Sequence, residues 1–396
     1  MLSSLLAIIA SCSPLCGADW LQFRGNDGSG VSAEADAPTK LEKEAWKAPL
    51  PGKGLSGPII VGNQVFLTSS SGVPEERLHV LCFDVTTGNK VWERQFWATG
   101  STMCHSAMAV ATPTPASDGK RIFASYSSND VACLDLEGNL LWYRGLTYDN
   151  PNASNSLGMS SSPIVADGVV IMQVESDAEA FTEGLDAGTG IARWKIERPR
   201  QSNWTSPIVL RGADNGKDLV LLQSSKGIAA VRSATGEVAW TYSDGASTIP
   251  SSTLFQNVIF VPSHGVTALK PTSSAGAPEI QWRKGQLSPG TASPLAFDGR
   301  VFTLNNAGVL VAAGVNDGEV AWRLRLKGKF SGSPIAAAGK LYAFNEEGVA
   351  FVVELGEKNG KVLSELGLKE RVMCTPAIAG GNLYVRSDQH LWKFGQ

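Results

Sequence analysis

Indole side chains recur along this chain at a period that few folds can use. Trp46, Trp92, Trp142, Trp194, Trp240, Trp282 and Trp322 are separated by 46, 50, 52, 46, 42 and 40 residues, and a further step of 42 reaches Ser364, a degenerate copy. A tight turn precedes most of them, at Thr87-Gly88, Glu137-Gly138, Thr189-Gly190, Thr235-Gly236 and Asp317-Gly318. Self-similarity at such a spacing marks a repeat architecture, in which each unit buries its apolar surface only against its neighbours.

A second ladder runs beside the first. A small residue followed by Pro opens an apolar run at Gly57-Pro58, Thr112-Pro113, Ser162-Pro163, Ser206-Pro207, Ser293-Pro294, Ser333-Pro334 and Thr375-Pro376, with Ser251-Ser252 as a copy lacking the Pro. Hairpin signals such as Asp118-Gly119, Asp167-Gly168 and Asp298-Gly299 follow, and then a second apolar run. Each repeat reads as four short antiparallel strands, which is one propeller blade. Pro suits the first, channel-bordering strand, because an edge position needs no N–H donor there.

The spacing therefore predicts an all-β fold: an eight-bladed β-propeller of four-stranded antiparallel blades over residues 43–396, preceded by an N-terminal arm over 19–42. The chain opens on a lone fourth strand, Glu44-Ala45-Trp46-Lys47, and ends on a third, Leu391-Trp392-Lys393-Phe394. Pairing these two would close the ring by joining the N-terminal strand to the C-terminal blade, leaving no open sheet edge.

Charge narrows the partner classes. The net charge is −3 and no segment gathers Lys and Arg, so nucleic acid is excluded as an expected partner. No stretch approaches the ~20 apolar residues of a spanning helix. Residues 1–18 read as an export signal, with the apolar core Leu5-Leu6-Ala7-Ile8-Ile9-Ala10 and small residues Cys16-Gly17-Ala18 before Asp19, although a positive n-region is missing. Ile9-Ala10-Ser11-Cys12 also resembles a bacterial lipobox, which would end the signal at residue 11 and make Cys12 the lipidated residue and a lipid anchor. Export, to the periplasm or the outer membrane, is the expectation.

The repeats resemble the tryptophan-docking motif of PQQ-like propellers, roughly Ala-x-Asp-x-x-Thr-Gly-x-x-x-Trp. Cys82-Phe83-Asp84-Val85-Thr86-Thr87-Gly88, ending at Trp92, and Gly184-Leu185-Asp186-Ala187-Gly188-Thr189-Gly190, ending at Trp194, match it. Ala230 to Trp240 and Ala312 to Trp322 keep the spacing with Arg232 and Gly314 at the Asp position. The resemblance implies that each ring packs on the neighbouring blade against the small residue and the turn. Size and blade count are similar to BamB-type outer-membrane assembly factors, and Asp19-Trp20-Leu21-Gln22-Phe23-Arg24-Gly25 looks like their N-terminal arm. Quinoprotein dehydrogenases share the repeat.

The BamB-like resemblance implies a non-catalytic envelope scaffold that binds a protein or peptide, with no cofactor. The alternative is an oxidoreductase dependent on PQQ and Ca²⁺; a carbohydrate-binding propeller is a third reading. A quinoprotein dehydrogenase would be expected to carry adjacent cysteines, and Cys82, Cys104, Cys133 and Cys374 are well separated. Cys82 and Cys133 read as small buried hydrophobes, and a Cys104–Cys374 disulfide would have to reach past blade one. Asp130, Glu175, Asp177, Glu346 and Glu347 read as solvated loop carboxylates rather than Ca²⁺ ligands. His79, His105, His264 and His390 lack metal spacing, and Cys104-His105, adjacent in sequence, would point to opposite faces of a strand. No catalytic and no metal-binding residue is expected.

Loop length is asymmetric. The segments Ser69–Arg77, Trp97–Met108, Leu146–Ser160 and Glu175–Glu183 belong to second-to-third loops or blade crossings, which emerge on one face of a propeller. That decorated face is the expected binding surface, with Trp97, Met103, His105, Tyr148, Asn150, Asn152 and Phe181 as candidate contacts.

Overall fold

In the computed structural model, residues 19–272 and 276–395 are described; residues 1–18, expected to be an export signal, lie outside them, Cys12 included. Eight four-stranded antiparallel sheets form the ring. Blade one comprises Ile59–Val61, Gln64–Ser71, Arg77–Asp84 and Lys90–Trp97, and blades two to seven follow in chain order. Blade eight joins Ala377–Ala379, Asn382–Arg386 and His390–Phe394 to the N-terminal strand Trp46–Pro49, which pairs with it from Trp46↔Lys393 to Pro49↔His390.

Burial explains why these strands read as continuous apolar runs. Each blade is sandwiched between two others, so its second and third strands are covered on both faces, and in blade one Val65–Ser70 and Leu78–Phe83 are buried throughout. The fourth strand lies at the rim, and Trp92 is the buried side chain of Lys90–Trp97.

The indole ladder holds neighbouring blades together. Trp46 Nε1 donates to Val85 O at 3.0 Å, Trp92 to Leu136 O at 2.9 Å, Trp142 to Ala187 O at 3.2 Å and Trp194 to Ser233 O at 2.9 Å, in each case a carbonyl of the next blade. Trp282 and Trp322 repeat this with Val315 O and Gly356 O. The turn glycine lies on the ring: Gly88 has φ +71°, and a Cβ there would come within 2.6 Å of the Trp46 indole. The motif Asp builds the turn, since Asp84 Oδ1 accepts the N–H groups of Thr86 and Thr87 and the Thr87 hydroxyl. One detail differs from the expectation. The small residue belongs to the same blade as its Trp, directly across the ladder, as in Cys82↔Trp92, Gly184↔Trp194 and Ala312↔Trp322. Only the turn comes from the neighbour.

At blade seven Val352 faces Ser364 instead of an indole. The N-terminal arm fills that place: Leu41 is buried there, donating its N–H to Ser364 Oγ (3.0 Å) and accepting from it through its carbonyl (3.2 Å). Blade two corrects the second ladder by two residues. In Thr112-Pro113-Thr114-Pro115 it is Thr114-Pro115, not Thr112-Pro113, that leads into the first strand Ala116–Ser117.

Candidate functional site

The residues preceding each first strand meet around the axis. Gly57 N–H donates to Thr114 Oγ1, Thr114 N–H to Ser162 Oγ, Ser162 N–H to Ser206 Oγ and Ser206 N–H to Ser251 Oγ, at 2.9–3.0 Å. Ser251 N–H continues to Ser293 Oγ, Ser293 N–H to Ser333 Oγ and Ser333 N–H to Thr375 Oγ1, again at 2.9–3.0 Å. Each hydroxyl thus satisfies a backbone donor of the preceding blade, which would otherwise be orphaned beside the channel. The circle is open only between Thr375 and Gly57, where no hydroxyl is available.

This ring forms part of the wall of an axial cavity of about 360 Å³. Its other lining residues include Phe23 from the arm and Leu55, His105, Met108, Leu157, Trp204, Ile249 and Met373 from the blade crossings. The crossings place the mouth on the decorated face. The arm closes the far end: Trp20 pairs with Ile60 of blade one, Leu21 O accepts from Ser117 N–H of blade two, and Ser29 O accepts from Thr253 of blade five. Farther along, Ser32 and Ala336 of blade seven are bonded, and Glu34 receives the Gly380 and Gly381 N–H groups of blade eight. Arg24, 1% exposed, donates to Ser252 O at 2.9 Å and to Pro294 O.

Five of the seven candidate contacts offer surface. Trp97 is 61% exposed with Arg77 stacked over its ring, Met103 is 63% and Tyr148 91% exposed. His105 and Asn152 are exposed, and His105 also lines the cavity. Asn150 and Phe181 are instead buried. Asn150 closes the short helix Leu146–Asp149 by donating from Nδ2 to Leu146 O, and it accepts from Lys195. Phe181 packs among Cys133, Trp142 and Val174 between blades two and three, with the Lys195 ammonium over its ring.

Two of the carboxylates expected in solvent are also inside. Asp130 is fully buried and accepts from Thr99 N–H, Thr99 Oγ1 and Ser128 Oγ. Glu175 is ion-paired to Arg198 at 2.7 Å and bonded by Asn203, and burial still pushes its carboxyl up. Both knit loops to blades. The described cysteines are all free thiols. Burial pushes the Cys82 and Cys133 thiols up to about 12 and Cys374 to about 11, so none is a thiolate nucleophile near neutrality.

Ser71, His79 and Glu93 on blade one form a hydroxyl–imidazole–carboxylate relay, with Ser71 Oγ to His79 Nε2 and His79 Nδ1 to Glu93 Oε1 both 2.7 Å. Acyl transfer also needs donors for an oxyanion. Beside Ser71 stands the Glu76 carboxylate instead, 2.5 Å from where a Gly72 Cβ would lie. The relay is a structural bridge across three strands. Nor does the cavity fit PQQ chemistry. Ca²⁺ takes carboxylate and carbonyl oxygens, and among the described residues no Asp or Glu lines the cavity to hold it or to act as a base. Among the described residues no cluster of three or more His, Cys, Asp or Glu could hold a metal ion.

Sequence reasoning missed Phe23, Trp204, Ile249 and Met373, which lie on separate segments with no common spacing. It also treated the residue before Pro as merely small. That most copies carry Ser or Thr there was the legible signal of a hydroxyl ring.

Comparison with known proteins agrees with this architecture. The family described as outer membrane protein assembly factor BamB matches residues 27–158, 98–254 and 263–354. No curated protein is significantly similar to the chain. Among solved structures, BamB from Moraxella catarrhalis superposes with a TM-score of 0.67 at 17% identity, covering 89% of this chain and 97% of that one. A europium-containing methanol dehydrogenase gives 0.73 at 12% identity over 96% of this chain and 98% of that one. The quinohemoprotein alcohol dehydrogenase from Comamonas testosteroni gives 0.73 at 13% over 95% and 80%. At such identities these structures share the fold, whereas the family match spans well over half of the sequence. The chain belongs to the BamB outer membrane assembly factor family of PQQ-like repeat propellers.

Proposed function

We propose that this protein is a non-catalytic binding scaffold of the cell envelope, exported to the periplasm or outer membrane, whose decorated face engages a protein or peptide. The observation that carries the reading is the exposure of large apolar side chains on the loops of that face: Val73, Trp97, Met103 and Tyr148 each leave more than half of their surface in water. Aromatic and Met side chains standing out of a rigid ring are the composition of a protein-binding surface. Family membership supports the same reading.

A photo-crosslinking residue at Tyr148, compared with one at Lys120 in a strand-one hairpin on the opposite face, tests it in intact envelopes. Discrete adducts from position 148, lost in a Trp97→Ala background and absent from position 120, are expected. Equal or absent labelling at both sites would overturn the reading. The fold shared with quinoprotein dehydrogenases keeps oxidation as the rival, and it predicts dye reduction by the purified protein with PQQ, Ca²⁺ and an alcohol. The cavity, having no carboxylate, is expected to give none.

A further inference from the structure

The hydroxyl ring has spare chemistry. Thr114, Ser162, Ser206, Ser251, Ser293, Ser333 and Thr375 each accept a backbone N–H, all line the axial cavity, and all are at least 93% buried. A hydroxyl that accepts still has a proton to donate. Among the described residues none of these protons has an acceptor. The wall therefore presents hydrogen-bond donors to whatever stands on the axis.

Two buried guanidinium groups flank the ring. Arg24 donates to Ser252 O and Pro294 O, the residues next to Ser251 and Ser293. Arg386, on the far side of the ring, donates to Ser56 Oγ next to Gly57, to Thr68 O and to Ser69 Oγ. Both are 1% exposed, neither makes an ion pair among the described residues, and Nε of each has no acceptor. Burial lowers both guanidinium groups to about 10, which leaves them charged at neutral pH. Burial outweighs the attraction of Asp27 for Arg24 and of Asp388 for Arg386, and a further anion on the axis would offset part of that cost. Among the described residues no carboxylate lines the cavity to play that part. The rest of the lining combines the apolar side chains Phe23, Leu55, Met108, Leu157, Trp204, Ile249 and Met373 with His105, Cys374 and further Ser and Thr hydroxyls.

We infer that the axial cavity binds a small amphiphilic monocarboxylate, its carboxylate on the hydroxyl ring and its apolar body among the crossing residues at the mouth. Uncharged donors suit a single carboxylate, which accepts several hydrogen bonds at two oxygens. The apolar part of the ligand is left against Trp204, Leu157 and Ile249, where its burial adds affinity. The volume is in the usual range for a small-molecule pocket. This inference concerns the cup below the mouth and does not rest on the protein-binding reading of the outer loops.

Isothermal titration of the whole folded protein with 3-phenylpropionate and with its neutral analogue 3-phenylpropionamide tests it. The acid is expected to bind saturably and at least tenfold more tightly than the amide. Acetyl-Gly-Gly-Phe with a free carboxyl, against its carboxamide, distinguishes a free acid from the end of a peptide chain; acid preference in either pair supports the inference. Ile249→Glu places a negative charge on the half-exposed rim, away from the core, and should weaken the acid several-fold more than the amide, which loses only the apolar contact. Ser251→Ala/Ser293→Ala should remove the acid preference, with circular dichroism confirming a folded ring. Equal binding of acid and amide, no saturable binding of any of the four ligands, or indifference of the acid to Ile249→Glu would each overturn it. None of these results bears on crosslinking at Tyr148, so the two readings fail separately.

Discussion

Glu93 shows how a rim strand is tied into its blade by one ionised side chain. Burial pushes its carboxyl up, but hydrogen bonds from Lys90 (2.6 Å), His79 (2.7 Å) and Gln95 (2.8 Å), with the Lys90 charge, together outweigh that and hold it at about 2, below the ordinary 4.5. A carboxyl whose folded value is depressed contributes stability that is complete above its unfolded value and is lost as the pH falls through the folded one. Glu93 therefore stabilises the fold fully above about pH 4.5, and the contribution disappears towards pH 2. Its size is on the order of 3 kcal/mol at neutral pH, since one unit is worth about 1.4 kcal/mol. Urea unfolding of wild type and Glu93→Gln should differ by that order at pH 6 and converge near pH 2. A difference independent of pH would refute the assignment.

At the scale of elements, the arm and the degenerate repeat are one device. The sequence shows that an indole is missing at Ser364, yet not what replaces it, because Leu41 lies 323 residues away in sequence and carries no repeat signal. The blade ladder was legible because it is periodic; the arm's path across the channel was not, because each of its contacts is made once. The same holds for the candidate face. Trp97 ends a rim strand and Tyr148 lies in a one-turn helix of a blade crossing, and both stay exposed, whereas Phe181 lies in a loop-flanking strand whose burial is decided by packing against blade two. In the doubled Thr-Pro of blade two, the hydrogen bonds from Gly57 to Thr114 and from Thr114 to Ser162 put Thr114, not Thr112, in the ring. The fit of Leu41 gives a prediction. Ser364→Trp would place an indole in the volume that Leu41 occupies and lose both hydrogen bonds to its backbone, worth about 1–2 kcal/mol in all. Trypsin should then cut at Lys40 and Lys43 faster than in wild type while blades one to six stay resistant, because cleavage reports local opening. Unchanged cleavage would show that the arm is not held at this site.

For the whole molecule, the ring is closed at blade eight. In every other blade the four strands are consecutive in the chain, while here the fourth strand is the N-terminal one and closure depends on pairing Trp46–Pro49 with His390–Lys393. Bringing together strands so far apart in sequence costs about 5 kcal/mol in loop-closure entropy. The hydroxyl ring also breaks here, since Gly57 has no side chain and a Cβ would lie 2.7 Å from Thr375 O. Arg386 of blade eight takes over, reaching across to Ser56 Oγ (3.2 Å), Thr68 O and Ser69 Oγ (3.1 Å) of the blade-one region. Hydrogen bonds from a charged donor are worth more than neutral ones, so this one guanidinium ties the two blades together where no hydroxyl bridges them. Arg386→Ala should cost about 3 kcal/mol, since it removes a charged donor shared by three buried acceptors. Amide hydrogen exchange locates the effect. Protection in Trp46–Pro49 and His390–Phe394 should fall about a hundredfold, the equivalent of that energy, while blades three to five exchange as before under native conditions. A uniform loss around the ring would mean that the eight blades open together and that the junction is no weaker than the rest.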